Sequence, residues 1–217
     1  MHLPGDDRIE LAAGPRSPRG LVLMLHGGAE RGLREVDHRS LAYHRTRWMF
    51  ESIRSRLTDQ DVGVALLRFR LKGWNAGRGT VPSPVTDARE ALARLREEYA
   101  GVPLVLLGHS MGGRTAAWVA DEPGVAGVVG LAPWLPPDDP VAALAGKHLV
   151  AAHGSRDRIT SARASAAYVR RADPLAASTR FVGMGALGHY MLTGVRQWNE
   201  TAITASLGVL AGDLRHS

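Results

Sequence analysis

The chain contains no cysteine. Disulfide frameworks, thiolate-bound zinc and a cysteine nucleophile are therefore excluded. Lysine is almost missing too: only Lys72 and Lys147 stand beside 25 arginines, and against 21 acidic residues the formal charge is +6. The arginines are interspersed with Asp and Glu rather than gathered in one stripe, so no nucleic-acid partner is expected. Long apolar runs are lacking as well. The uncharged stretch 123–137 is interrupted by Pro133 and Pro136, which leaves it too short and broken to span a bilayer. The opening residues Met1-His2-Leu3-Pro4-Gly5-Asp6-Asp7 offer no basic segment running into an apolar core. No secretory signal is expected, and a soluble, cytoplasmic protein is the expectation.

What is present is an ordinary globular mix, 45% apolar and 22% charged over 217 residues. That length argues for one domain, 1–217, able to bury about 70% of its unfolded surface without staples. Short apolar runs at 21–25, 62–67, 104–107, 125–131, 149–152 and 181–182 alternate with longer segments of helical period. Several runs lack polar alternation, as expected of strands covered on both faces. Residues 87–99 form the clearest helix, with Ala88, Ala91, Leu92, Leu95 and Tyr99 on one stripe and Ser83-Pro84 as its cap and first turn. Further helices are expected at 41–57, 111–121, 162–172 and 195–210, and an edge strand near 8–12. This order implies right-handed crossovers and a doubly wound, mostly parallel α/β sheet, whose ligands bind beyond the carboxyl ends of the strands.

One such strand end carries Gly108-His109-Ser110-Met111-Gly112, a G-x-S-x-G between an apolar strand and an Ala-rich helix. A sharp strand-to-helix turn pushes the Ser110 hydroxyl above the sheet edge, and the small residues let neighbouring backbone pass close. The following N–H, on Met111, points toward a developing oxyanion at the helix's positive end. With Leu25-His26-Gly27-Gly28, His153-Gly154-Ser155-Arg156-Asp157 and Gly188-His189, the sequence resembles the α/β-hydrolase family across nearly its whole length. The resemblance implies an eight-stranded sheet or a trimmed version, with trimming expected here at the start, and the triad order Ser, acid, His.

Four histidines follow Ser110. His216 sits at the frayed end, His148 opens a strand, and His153 precedes the best acid by only four residues. His189 lies in a Gly-rich loop between the last strand and the last helix, where the family places its base. Among Asp121, Glu122, Asp138, Asp139, Asp157 and Asp173, Asp157 follows a strand-ending turn that looks like the family's acid loop. The family also makes the backbone after the first parallel strand the second half of the oxyanion hole, with Gly28 as donor and Ala29 as fallback. His26 then braces that loop.

Fewer than twenty residues separate the runs ending at Leu131 and beginning near His148, so no cap domain fits and an open pocket is expected. Trp74 and Trp134 are candidate pocket walls. Arg31, Arg34, Arg70, Arg78, Arg114, Arg156 and Arg158 lie near strand ends, either as a positive mouth or as merely solvated side chains. The reading is a serine hydrolase of small esters or thioesters, using no metal or cofactor, with its oligomeric state left open. An acyltransferase or perhydrolase using the same triad, or a catalytically silent binding module, are the alternatives.

Overall fold

The computed structural model describes residues 1–213 apart from His38 and Arg78. Eight strands form one sheet: β1 (His2–Leu3), β2 (Asp6–Leu11), β3 (Gly20–Leu25), β4 (Val62–Leu67), β5 (Leu104–His109), β6 (Val125–Leu131), β7 (His148–His153) and β8 (Ser178–Gly183). Their spatial order is β1-β2-β4-β3-β5-β6-β7-β8, with the β1–β2 and β2–β4 pairs antiparallel and the remaining pairs parallel. β3 to β7 read as continuous apolar runs because helices cover both faces. The expected trimming at the start does not occur. Asp6–Leu11 pairs with β4 through Ile9, Glu10 and Leu11, and His2–Leu3 adds a short outer strand.

Five helices complete the layers: α1 (Leu41–Thr58), α2 (Ser83–Glu98), α3 (Met111–Trp118), α4 (Ala162–Ala172) and α5 (Val195–Ala211). The chain moves from β3 to β4 in one direction across the sheet and from β4 to β5 and β5 to β6 in the other. Right-handed crossovers therefore put α1 on one face and α2 and α3 on the opposite face. In agreement, α1 packs beside α5 and α2 beside α3. The neighbouring strands β3 and β5 send their connections in opposite directions, to β4 and to β6, so the crevice between their ends is the switch point where such sheets bind ligands. Between β6 and β7 residues 132–147 hold only the single 3-10 turn Ala142–Leu144, and no cap domain covers the sheet edge. No helix among the described residues is long and apolar enough to cross a membrane.

Candidate active site

Ser110 occupies the switch point. It joins β5 to α3 with φ 54° and ψ −117°, a left-handed conformation that costs a non-glycine residue about 1–3 kcal/mol. Close packing holds the turn in place. A Cβ on Gly112 would lie 2.7 Å from the His26 carbonyl oxygen, and one on Gly108 would run into the backbone of Gly112 and Gly113. The Ser110 N–H donates to the Leu131 carbonyl (3.1 Å), and the Ser110 carbonyl accepts from Trp134 N–H (3.1 Å). β6 thereby clamps the elbow.

Three side chains that the sequence singled out meet here. His189 Nε2 lies 3.1 Å from Ser110 Oγ, and His189 Nδ1 lies 2.8 Å from Asp157 Oδ2. An ionised carboxylate only accepts, so the ring proton sits on Nδ1 and leaves Nε2 free to accept from the serine hydroxyl. The Asp157 side chain is 1% exposed. Burial alone would raise its pKa, but N–H groups of Thr160 and Ile159 (2.9 and 2.8 Å to Oδ1) and the His189 ring outweigh it and hold the carboxyl below the usual range.

Two backbone donors face the same crevice. Met111 opens α3, and neither its N–H nor that of Gly28 has a protein acceptor among the described residues. Ala29, the fallback donor, is excluded because its N–H is bound to the Lys72 carbonyl at 2.9 Å. Gly28 is required for steric reasons: a Cβ there would sit 2.6 Å from that same Lys72 oxygen and collide with the Met111 side chain.

His26 spans β3 and β4, its Nε2 accepting from Phe69 N–H (3.0 Å) while Nδ1 lies 2.6 Å from the Gly27 carbonyl. His148, as expected, stays at the far end of β7, beside Ser178. His216 and Arg78 lie outside the described residues. Trp74 and Trp134 do line a cavity of about 130 Å³. Trp74, however, is only 2% exposed, and the Arg114 guanidinium carbon lies 4.2 Å from the ring centroid of each indole, the two rings meeting edge to face. Trp74 thus acts mainly as core, with Trp134 the better exposed of the two. The positive mouth is thinned as well. Arg114 makes a bidentate pair with Asp139, and Arg70 is held by Asp87 and Glu90. Arg31, Arg34, Arg156 and Arg158 have no ion pair among the described residues.

The expected open pocket is correspondingly modified. There is no cap, yet Ser110 and His189 are each only 6% exposed, with the loop at 131–134 bonded to the Ser110 backbone and the imidazole 3.1 Å from its hydroxyl. The neighbouring space is a cavity of about 350 Å³ beside the Gly27–Gly28–Ala29 backbone, walled by Val36, Leu41, Ala42 and Tyr43 and bearing Arg39 and Lys72. A roomier cavity, about 600 Å³, lies elsewhere, among the mutually paired charges of Arg8, Arg70 and Asp87.

Sequence reasoning missed several supporting groups. Arg45 reaches from α1 to the carbonyls of Tyr190 (2.5 Å) and Met191, bracing the His189 loop. Its signal was an arginine among the core-facing residues Tyr43, Thr46, Met49 and Phe50. His109 Nε2–H donates to the His189 carbonyl (3.0 Å), and its ring packs 4.9 Å from the His189 ring. Burial lowers His109 to about 3 and His26 to about 4. Both rings are neutral when folded but protonate near 6.5 in the unfolded chain, so the unfolded state binds more protons below that pH. Tm is therefore expected to fall steeply from pH 6.5 toward 4, a loss on the order of several kcal/mol. His109→Gln should flatten that slope in a calorimetric pH series, and an unchanged slope would contradict this assignment.

Among the described residues no group of three or more His, Asp and Glu side chains is arranged to hold a metal ion. A family model described as serine aminopeptidase, S33, matches residues 43–152. Solved structures share the architecture at low identity. A thermophilic esterase, Est2, from Thermogutta terrifontis with propionate bound has a TM-score of 0.71 at 14% identity, covering 96% of this chain and 91% of that one. Est1E from Butyrivibrio proteoclasticus, with ferulic acid bound, gives 0.67 at 13%, covering 97% and 99%. An alpha-beta serine hydrolase homologue from Coxiella burnetii gives 0.68 at 15%, covering 91% and 90%. No curated protein matches the sequence.

Proposed function

Because the chain belongs to the serine aminopeptidase (S33) family of α/β hydrolases and is a hydrolase by that membership, we propose that it cleaves small carboxylic esters or thioesters through an acyl-enzyme on Ser110. The observation that carries this reading is the unbroken chain Ser110–His189–Asp157 beside two unpartnered backbone donors. Ser110 Oγ attacks the carbonyl carbon while its proton passes to His189 Nε2. The N–H groups of Met111 and Gly28 receive the oxyanion. Collapse of the tetrahedral species expels the alcohol or thiol, which takes the proton from His189. Water then attacks the acyl-enzyme, again giving a proton to Nε2, and the carboxylic acid leaves with Ser110 restored. Asp157 stays ionised throughout, fixing the imidazole tautomer and stabilising the imidazolium.

The cavity beside the oxyanion loop favours esters over amino-terminal peptides. Among the described residues its lining carries Arg39 and Lys72 and no carboxylate to receive a free α-amino group, and the nearby Asp37 carboxylate is already paired with Lys72 at 3.9 Å. The triad also argues against a silent binding module, since such a module has no use for a base poised on a hydroxyl. The test is labelling by a fluorophosphonate probe together with hydrolysis of p-nitrophenyl esters of graded acyl length. Stoichiometric labelling at Ser110 and turnover of short esters are expected. An unlabelled, folded protein that turns over none of the esters would remove the proposal.

A further inference from the structure

Asp157 Oδ2 has a second imidazole on it. His153, the last residue of β7, places Nε2 3.1 Å from that oxygen, opposite the 2.8 Å contact from His189 Nδ1. A carboxylate offers about four lone-pair sites, two on each oxygen. The N–H groups of Ile159 and Thr160 occupy Oδ1, and the two imidazoles occupy Oδ2. The Thr160 hydroxyl is a third group near Oδ2 (2.9 Å), but it has the Ala132 carbonyl as an alternative acceptor at 3.2 Å.

The geometry fixes the state of the His153 ring. Its side chain is completely buried, and burial depresses its pKa, so the ring is neutral. Facing a carboxylate, Nε2 must carry the proton, because a lone pair there would repel Oδ2. Nδ1 then accepts, and the Ser165 hydroxyl of α4 lies 3.0 Å from it. Ser165 Oγ is also 3.3 Å from the Pro133 carbonyl. A hydrogen-bonded path thus runs from α4 through His153 to the acid, independent of the His189 loop.

We propose that His153 is a positioning residue for the acyl-transfer reaction, sharing Asp157 Oδ2 with His189 and so holding the carboxylate in place and limiting the charge it lends to the imidazolium. This rests on the serine-hydrolase reading above. A second N–H on Oδ2 withdraws negative charge from the His189 contact. The His189 imidazolium is then less stabilised and surrenders its proton more readily to the leaving group. The other charged and titratable groups around the pair keep their places. His109 of β5 packs on the His189 ring, Arg45 of α1 holds the Tyr190 and Met191 carbonyls, and the Tyr190 ring lies edge-on to His189. Arg156 and Arg158 flank Asp157 in sequence with exposed side chains.

The test compares His153→Leu with His153→Gln, each in a Thr160→Val background so that no hydroxyl can take the vacated lone pair. Gln presents an N–H close to the position of imidazole Nε2, whereas Leu presents none. Labelling of the parent protein by fluorophosphonate is read first. If Ser110 is not labelled, the serine-hydrolase reading itself fails. With labelling secured, His153→Leu is expected to lower kcat for p-nitrophenyl acetate about tenfold or more, with KM within about twofold. The acid limb of its kcat/KM profile should move up by about half a pH unit. His153→Gln should restore both toward the parent values. A His153→Leu variant that only loses Tm, keeping kcat and the acid limb, would overturn the proposal, as would a Gln variant no better than Leu. Should the Leu variant not fold, Ser165→Ala, which frees Nδ1 and loosens the tautomer, should shift the acid limb in the same direction. An unshifted limb there would overturn the proposal equally.

Discussion

Replacing Ser110 by Ala is expected to lower kcat for p-nitrophenyl acetate by about 10⁴-fold or more and to abolish fluorophosphonate labelling. His189→Ala should cost nearly as much, and the double variant scarcely more than either, because nucleophile and base act as one unit. The residual rate would come from the Met111 and Gly28 donors and from substrate binding alone. The backbone adds a second, independent readout. Ser110 holds φ 54° and ψ −117°, a region suited only to glycine. Ser110→Ala inherits that strain and should leave Tm close to the parent value, whereas Ser110→Gly should raise Tm while being equally inactive. The expected gain is about 1–2 kcal/mol, relief of strain less the added freedom of the unfolded glycine. Full retention of ester hydrolysis by folded Ser110→Ala would reject the mechanism.

Asp157→Asn has the next largest expected effect, about 10⁴-fold in kcat, for a reason specific to this site. Each carboxylate oxygen faces two N–H groups, Ile159 and Thr160 backbone on one and His189 and His153 on the other, with the Thr160 hydroxyl a third donor beside the imidazoles. An asparagine NH₂ must therefore face two donors whichever way the amide is turned. Placed on the imidazoles, it forces His189 to the tautomer with its proton on Nε2, which cannot accept from Ser110 Oγ. Placed on the backbone, it breaks the turn that follows β7. The variant should also lose about 1–3 kcal/mol of stability, since buried donors are left unsatisfied. An Asp157→Asn protein with parent-like turnover would show that another group orients His189.

Asp157 adds a pH dependence to stability. Its carboxyl is held below the usual range when folded, so its contribution is fully present above about pH 4 and is lost as pH falls through the depressed value. The window opens where that of His26 closes and overlaps the last part of that of His109, so the Asp157 loss should extend the acid decline below about pH 4.

Much of this protein could be read along the chain because its elements are specified locally. The apolar runs that became β3 to β7 have no polar interruption, and each strand lies within a residue or two of the expected one. Glycines at 108 and 112, flanking a serine at a strand-to-helix junction, encode the elbow within five residues, and neighbouring backbone enforces it. β8 was expected only at 181–182 because an edge strand with none of its residues buried lacks the continuous apolar signal, and Ser178, Thr179 and Arg180 hid its start. β2 is expected near 8–12 and runs over Asp6–Leu11, whereas β1, only two residues long, leaves no signal in the sequence. α3 ends at Trp118 rather than at 121, a boundary that sequence periodicity does not mark.

Sequence alone therefore determined the doubly wound sheet, the elbow and the candidates for nucleophile, acid and base, since each depends on residue type at short spacing. Tertiary structure alone decided which N–H groups are left free, because Ala29 loses its donor to Lys72, a residue from another crossover. It also decided that His153 bonds to the acid instead of competing as the base, and that Arg45 and His109 hold the loop of His189 from α1 and β5. Those are partnerships between side chains and backbone brought together by the sheet's switch point. Hydrogen bonding is directional and short in range, so only the folded positions of donor and acceptor can assign it.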